Sequence, residues 1–203
     1  MKTLADILMG VLAIQGDFER HQHQLDLLGV ACRQVRVAGD LEGLDGLIIP
    51  GGESTTMSYF FDTFGLRQPL GEFAAIHPVY GTCAGMIMMA RHIEDNQAGV
   101  KPLDLIDIDV VRTGYGRQVF SCEEPVVAHL DGRRVELTAS FIRAPKIARL
   151  GDEVTVLATH ADAPVLVRQG HFLASSFHTE LTADTLLLRY FLEGLVLPAT
   201  VLR

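Results

Sequence analysis

Residues 79–88 read VYGTCAGMIM: a short apolar run, a cysteine between two glycines, then a second apolar run. Gly81-Thr82-Cys83-Ala84-Gly85 has the G-x-nucleophile-x-G form of a nucleophile elbow. In such an elbow the chain turns sharply from strand to helix, and the glycines make room for neighbouring backbone. A buried structural cysteine does not need glycine on both sides, whereas a nucleophile held up at the end of a strand does. The pattern predicts a strand end over 78–81 and a helix over 83–93 that starts at the cysteine. The start of that helix would favour a thiolate at Cys83. The five-residue pattern alone leaves open an ordinary strand-to-helix turn.

Outward from this point, short apolar runs alternate with helical patterns. Strands are expected over 7–14, 32–37 and 44–50, and helices over 18–29, 54–65 and 69–76. Phe18, Leu25 and Leu28 share one side of the first helix, and Gly29 stops it. Ser54 or Thr55 is the expected cap of the helix over 54–65. Strands alternating with helices imply right-handed crossovers and a parallel sheet covered on both faces. The second half differs. Strand-like runs follow one another over 103–111, 125–130, 134–140, 154–160, 163–169 and 171–177, with one clear helix over 183–195. Some of these strands must pair antiparallel, as a mixed extension of the sheet. With no linker and no repeat, the 203 residues are expected to form one domain, 1–203.

Composition narrows the function. The net charge is −8, without a Lys/Arg cluster, which argues against nucleic-acid and anionic-membrane partners. No apolar run approaches the ~20 residues needed to span a bilayer. The start, MKTLADILMGVLAIQG, has a lysine and an apolar stretch, but IQGDFERH follows without a small-residue cleavage site. It is read as the first strand. Cys32, Cys83 and Cys122 are odd in number and lack metal-type spacing, so neither a disulfide framework nor a metal site is expected. Cysteine usage of this kind fits the cytoplasm.

A thiol nucleophile needs a base, and the base needs an orienting group. SSFHTEL (175–181) offers both. His178 and Glu180 follow an apolar strand and lie two apart, so on extended chain they point the same way. A surface His and Glu at a strand end is the alternative. His160 with Asp162 is the closest rival pair, and His92 with Glu94 falls late in a helix. In LIIPGGESTT (47–56) a strand ends in Pro-Gly-Gly, exposing bare backbone N–H groups to a ligand. It lacks the GK[ST] of a phosphate loop, and Glu53 would repel an anion. An oxyanion hole from Gly51 and Gly52, with Glu53 facing a cationic substrate group, is the better reading.

Taken together, GVLAIQGDFERH, LIIPGGESTTM, GTCAGMI, GRQVFSCEE, FIRAP and SSFHTEL resemble a known family over nearly the whole chain. It is the glutaminase-subunit family of pyridoxal 5′-phosphate synthases, class I (triad) glutamine amidotransferases. The resemblance implies an α/β, flavodoxin-like three-layer sandwich with a mostly parallel central sheet and an antiparallel extension. It implies hydrolysis of L-glutamine to L-glutamate and ammonia through a thioester, with Cys83 as nucleophile, His178 as base and Glu180 as its partner. It assigns Gly51, Gly52, Glu53, Arg112, Ile142 and Arg143 to the glutamine site, and Gln15 to the oxyanion hole and partner interface. A free amino acid carries one carboxylate and one ammonium, which suits a donor such as Arg112 and an acceptor such as Glu53. The implied partner is a (β/α)8-barrel synthase subunit in a large hetero-oligomer, to which ammonia is channelled. No cofactor is expected, and the three lysines, Lys2, Lys101 and Lys146, stand in no Schiff-base-like motif. Thr179 stands where the family commonly has proline, and Cys122 where an aromatic is expected. The alternatives are a glutaminase subunit serving another acceptor, a peptidase on the same fold, and a non-catalytic regulatory partner.

Overall fold

The apolar runs on either side of the glycine-rich turns become strands buried along their whole length. These are β3 (Gly46–Ile49) and β4 (Val79–Thr82). They belong to a computed structural model of the chain that describes residues 2–112, 114 and 122–201. The other elements of the first half are β1 (Leu8–Leu12), α1 (Phe18–Leu27), β2 (Ala31–Val35), α2 (Ser54–Thr63), α3 (Arg67–Ala74) and α4 (Ala84–Met89). The second half contains β5 (Ala90–Ile93), β6 (Ile106–Val111), β7 (Cys122–Leu130), β8 (Arg133–Phe141) and β9 (Lys146–Leu150). It continues with β10 (Thr155–His160), β11 (Ala163–Gln169), β12 (Phe172–Ser175) and α5 (Leu186–Phe191). α5 runs through a π-helical segment (Leu192–Val196) into α6 (Leu197–Val201).

Nine strands form one sheet in the order β2-β1-β3-β4-β12-β11-β10-β7-β8. From β2 to β12 every pairing is parallel, and from β12 to β8 every pairing is antiparallel. This is the parallel sheet with an antiparallel extension that the alternation of elements predicts. Because strand side chains alternate between faces, neighbouring residues feed different cores. Ile48 and Tyr80 join a cluster with Leu25 of α1 and Phe191 of α5. Leu47, Ile49 and Val79 join another with Met57, Phe61, Phe73 and Met86 from α2, α3 and α4. Each fully buried side chain of this size contributes roughly 1.5–3 kcal/mol. Those two faces hold the strand ends in place, and the carboxyl ends of β1, β3, β4 and β12 meet along one edge.

Several expectations change. The helix expected over 83–93 stops at Met89, and Ala90 turns extended to begin β5. The reason lies outside the segment. The backbone N–H groups of Leu103 and Leu105 donate to the Met88 and Met89 carbonyls at 2.7 and 2.9 Å, taking helix-end acceptors that a longer helix would satisfy itself. β6, expected in the main sheet, pairs instead with β5 and β9 in a separate three-stranded sheet. β9 is not expected from the sequence, because KIARL is short, carries two charges and buries only Ile147. The helix expected over 183–195 begins at Leu186, whose N–H donates to Asp184 Oδ1 at 2.8 Å, and continues to Val201. α2 is capped by Glu53 rather than by Ser54 or Thr55: its carboxylate accepts from the N–H groups of Thr55 and Thr56.

Candidate active site

Cys83 joins β4 to α4 with φ 50° and ψ −106°, a conformation that costs a non-glycine residue energy and recurs at functional sites. Its N–H donates to the Ser175 carbonyl of β12 at 2.8 Å, so the strained residue is pinned by the neighbouring strand. The flanking glycines have separate jobs. A Cβ on Gly81 would lie 2.7 Å from the Gly85 carbonyl carbon, and a Cβ on Gly85 would overlap the Ile49 carbonyl oxygen of β3. The elbow therefore fits only if both stay bare. Cys83 is nearly buried, and its thiol reaches toward the Ile142 carbonyl at 4.0 Å.

His178 reaches the same place from β12. The strand ends at Ser175, three residues short of the histidine, so extended chain does not align His178 with Glu180. A bridge does: His178 and Ser140 exchange both backbone hydrogen bonds, each at 2.9 Å. Glu180 Oε1 then lies 2.5 Å from His178 Nδ1. A carboxylate can only accept, so Nδ1 carries hydrogen and Nε2 is left to exchange a proton with the thiol. Burial lowers the pKa of His178, but hydrogen bonds with the Cys83 side chain and Glu180 outweigh it and raise the ring to about 10. Burial opposes the charged form of Glu180 too, yet the nearby His21 and then His178 hold its carboxyl well below the usual range. Around Thr179, Gln24 Nε2 donates to the Thr179 and Asp184 carbonyls at 3.0 and 2.7 Å, and Thr182 Oγ1 donates to Thr179 O at 2.9 Å. These bonds tie down the segment around Thr179.

Gly51 and Gly52 lie beside this pair. A Cβ on Gly51 would overlap His178 Cε1 and come within 3.3 Å of Cys83 Cβ. Gly52, at φ 158°, packs against the Gln15 side chain, whose Oε1 accepts from the Glu53 N–H at 2.8 Å. Gln15 thus braces the glycine loop from behind. Two cavities open at Cys83. One of about 110 Å³ is lined by Glu53, Arg112, Ile142 and Arg143, among others. The second, of about 310 Å³, is lined by Gln15, Gly51, His178 and Leu181, among others. Arg143 adopts φ 45° there. Arg112 donates to Glu53 Oε1 at 3.3 Å and Thr55 Oγ1 at 3.0 Å, while its Nε is buried without a hydrogen-bond partner among the described residues. Because Glu53 also caps α2, its carboxylate is shared among the helix, Arg112 and the cavity.

The structure brings Cys83, His178, Glu180, Gly51, Gly52, Gln15, Glu53, Arg112, Ile142 and Arg143 to one edge of the sheet. It does not bring the rival histidines there. His160 pairs with Glu124 at 3.1 Å and stacks on Phe141, and His92 sits exposed on β5. The GRQ stretch (116–118) and Ser121 fall outside the described residues, as does the Cys122 side chain. One residue of the cluster escaped the sequence reading: His21 of α1, 1% exposed, has Nε2 3.4 Å from Glu180 Oε1. The available signal was its place on the apolar side of α1, between Phe18 and Leu25.

The SNO glutamine amidotransferase family matches residues 11–197 of the chain. Among curated proteins, the pyridoxal 5′-phosphate synthase subunit PdxT of Francisella philomiragia is 45% identical over 187 residues, covering 92% of this chain and 98% of the relative. The PdxT subunit of Deinococcus radiodurans is 48% identical over 189 residues, covering 91% and 95%. Among solved structures, a glutamine amidotransferase is 44% identical with a TM-score of 0.84, over 91% of this chain and 97% of that one. The PurLQS structure from Thermotoga maritima shares the fold at a TM-score of 0.68 and 12% identity, over 93% of this chain and 99% of that chain.

Proposed function

This chain belongs to the SNO glutamine amidotransferase family, and from that premise we propose that Cys83, His178 and Glu180 carry its glutamine hydrolysis. The enzyme is the glutaminase subunit of a pyridoxal 5′-phosphate synthase and supplies ammonia to the synthase subunit. The observation that carries the residue assignment is the chain of contacts from Cys83 through His178 to Glu180 Oε1 at 2.5 Å, ending on a carboxylate with no exposed side-chain surface.

The Cys83 thiolate attacks the side-chain amide carbon of glutamine, forming a C–S bond and an oxyanion. The oxyanion is assigned to the N–H groups of Gly51 and Gly52, with that of Ala84 after the nucleophile. Each such donor is worth about 3–4 kcal/mol of barrier. The His178 imidazolium gives its Nε2 proton to the departing nitrogen, the C–N bond breaks, and ammonia leaves a γ-glutamyl thioester. Neutral His178 then takes a proton from water as that water attacks the thioester. Collapse releases glutamate and restores the thiolate and imidazolium. Glu180 keeps the Nδ1–H tautomer through both steps and stabilises the charged ring. Arg112 answers the substrate carboxylate, and Glu53 its ammonium. Ile142 and Arg143 close the cavity over Cys83, and Gln15 holds the Gly52–Glu53 backbone in register.

Residues 1–203 act as a single glutaminase domain in the cytoplasm. The partner is a (β/α)8-barrel subunit within a large hetero-oligomer. Mixing the chain with its synthase and following glutamate release tests the assignment. Release that depends on Cys83 and rises with the synthase is expected. Release that persists in Cys83→Ala would overturn it.

A further inference from the structure

His21 is a buried titratable side chain that the three-residue mechanism leaves idle. α1 carries it into the core beside the elbow, at 1% exposure. Its Nε2 lies 3.4 Å from Glu180 Oε1 and 3.3 Å from Oγ1 of Thr82, the residue before Cys83. The Tyr80 ring stands edge-on to it, with centroids 6.5 Å apart. Glu180 Oε1 therefore lies between two imidazoles, His178 on one side and His21 on the other. Since a carboxylate has no hydrogen to give, His21 must present Nε2–H to it. Among the described residues His21 Nδ1 is buried without a hydrogen-bond partner, so the ring's polar contacts lie on its Nε2 side. The same Nε2 faces Thr82 Oγ1, so the ring stands between the carboxylate and the elbow.

We propose that His21 is a positioning residue for catalysis: from α1 it braces Glu180 through Oε1 and links that carboxylate to Thr82 at the base of the nucleophile elbow. The proposal rests on the assignment of Cys83, His178 and Glu180. Glu180 has 0% side-chain exposure, and among the described residues its Oε2 has no hydrogen-bond partner, so the carboxylate keeps its charge with donors on one oxygen only. Taking away the His21 donor leaves one imidazole facing a dry carboxylate. A buried charge with so little compensation moves toward its neutral form. A protonated Glu180 no longer stabilises the His178 imidazolium, and the proton for the leaving nitrogen is lost with it. Packing by His21 alone would predict none of this.

The test compares His21→Leu, His21→Asn and His21→Gln, the last keeping an amide N–H at the reach of Nε2. Two quantities are measured: glutamine turnover with the synthase present, and the pH profile of Cys83 alkylation in the chain alone. In His21→Leu, kcat should fall about 10- to 100-fold with KM little changed, and the His178 titration should move to lower pH. His21→Gln should recover most of the rate, and His21→Asn, too short to reach Glu180, should not. In a Glu180→Gln background, His21→Leu should cost less than about threefold more, because its effect passes through the missing carboxylate. Parent-like kcat and alkylation profile in His21→Leu would overturn the proposal, as would equal losses in both backgrounds. If His21→Leu does not fold, equal activities of the Gln and Asn variants would overturn it. Parent activity in Glu180→Gln itself would sink the triad assignment together with it, whereas an inactive Glu180→Gln beside an active His21→Leu would sink the His21 proposal alone.

Discussion

Gly51 and His178 touch so closely that a single methyl on Gly51 would overlap the imidazole at Cε1. The glycine-rich turn after β3 thus sets the position of the base as well as the backbone N–H groups. Gly51→Ala should lower kcat at least about a hundredfold while the chain stays folded, because the ring can swing off Cys83 without disturbing either core. Circular dichroism and glutamate release measured side by side check this. Parent turnover in the variant would mean that the loop and the ring are not held together during the reaction.

The elbow glycine behind the nucleophile answers to packing instead. Gly85→Ala forces a Cβ into the Ile49 carbonyl, a backbone atom that cannot step aside. Loss of several kcal/mol of stability is expected, at the upper end for single substitutions. Gly71 in α3 is the control, since a Cβ there meets nothing within 4 Å. Gly71→Ala should stabilise the chain by about 0.5–1 kcal/mol. Urea midpoints of the two variants must move in opposite directions.

The charged pair makes stability depend on pH in a defined window. His178 titrates ordinarily near 6.5 and is raised to about 10 in the fold, so its contribution is complete below pH 6.5 and is lost as pH climbs toward 10. Glu180 is lowered from 4.5, so its contribution is complete above that value and is lost as pH falls below it. The joint contribution is greatest between these limits. His178→Gln should flatten the alkaline slope of the urea midpoint between pH 6.5 and 10. An unchanged slope would place the charge elsewhere.

A glutamine-like electrophile should label Cys83 and spare Cys32, which sits half-buried on β2 with Gln22 Nε2 3.7 Å from its sulfur. Mass spectrometry of tryptic peptides reads this out. Label found on Cys32 or Cys122 as well, or retained in Cys83→Ala, contradicts the assignment.

Synthase binding should raise glutamate release on the order of a hundredfold, the effect of a few kcal/mol on the barrier. Gln15 is placed to transmit it, since its Oε1 holds the Glu53 N–H at 2.8 Å and packs on Gly52. Gln15→Ala should blunt the rise while Cys83 stays open to alkylation. Equal rates for the free and the docked chain would rule out this route of control.

The amino-acid sequence alone determined the alternating strands and helices of the first half, because periodicity of apolar residues is a local property that burial then obeys. It also marked Cys83, through glycines whose need is visible at two positions on either side. What only the tertiary structure decided is non-local. His178 meets Cys83 because β12 pairs parallel with β4, setting Ser175 opposite Thr82, and because Ser140 of β8 bends the chain beyond it. Neither pairing leaves a trace in local spacing. His21 joins Glu180 for the same reason: a histidine on the apolar side of α1 looks like ordinary core until the helix is laid against the strand ends. α4 gives way to β5 at Met89 because a distant segment takes up its carbonyls, and β9 forms on hydrogen bonds that KIARL does not advertise. Local pattern selects elements, but register across the sheet and the saturation of backbone groups by remote partners decide which side chains meet.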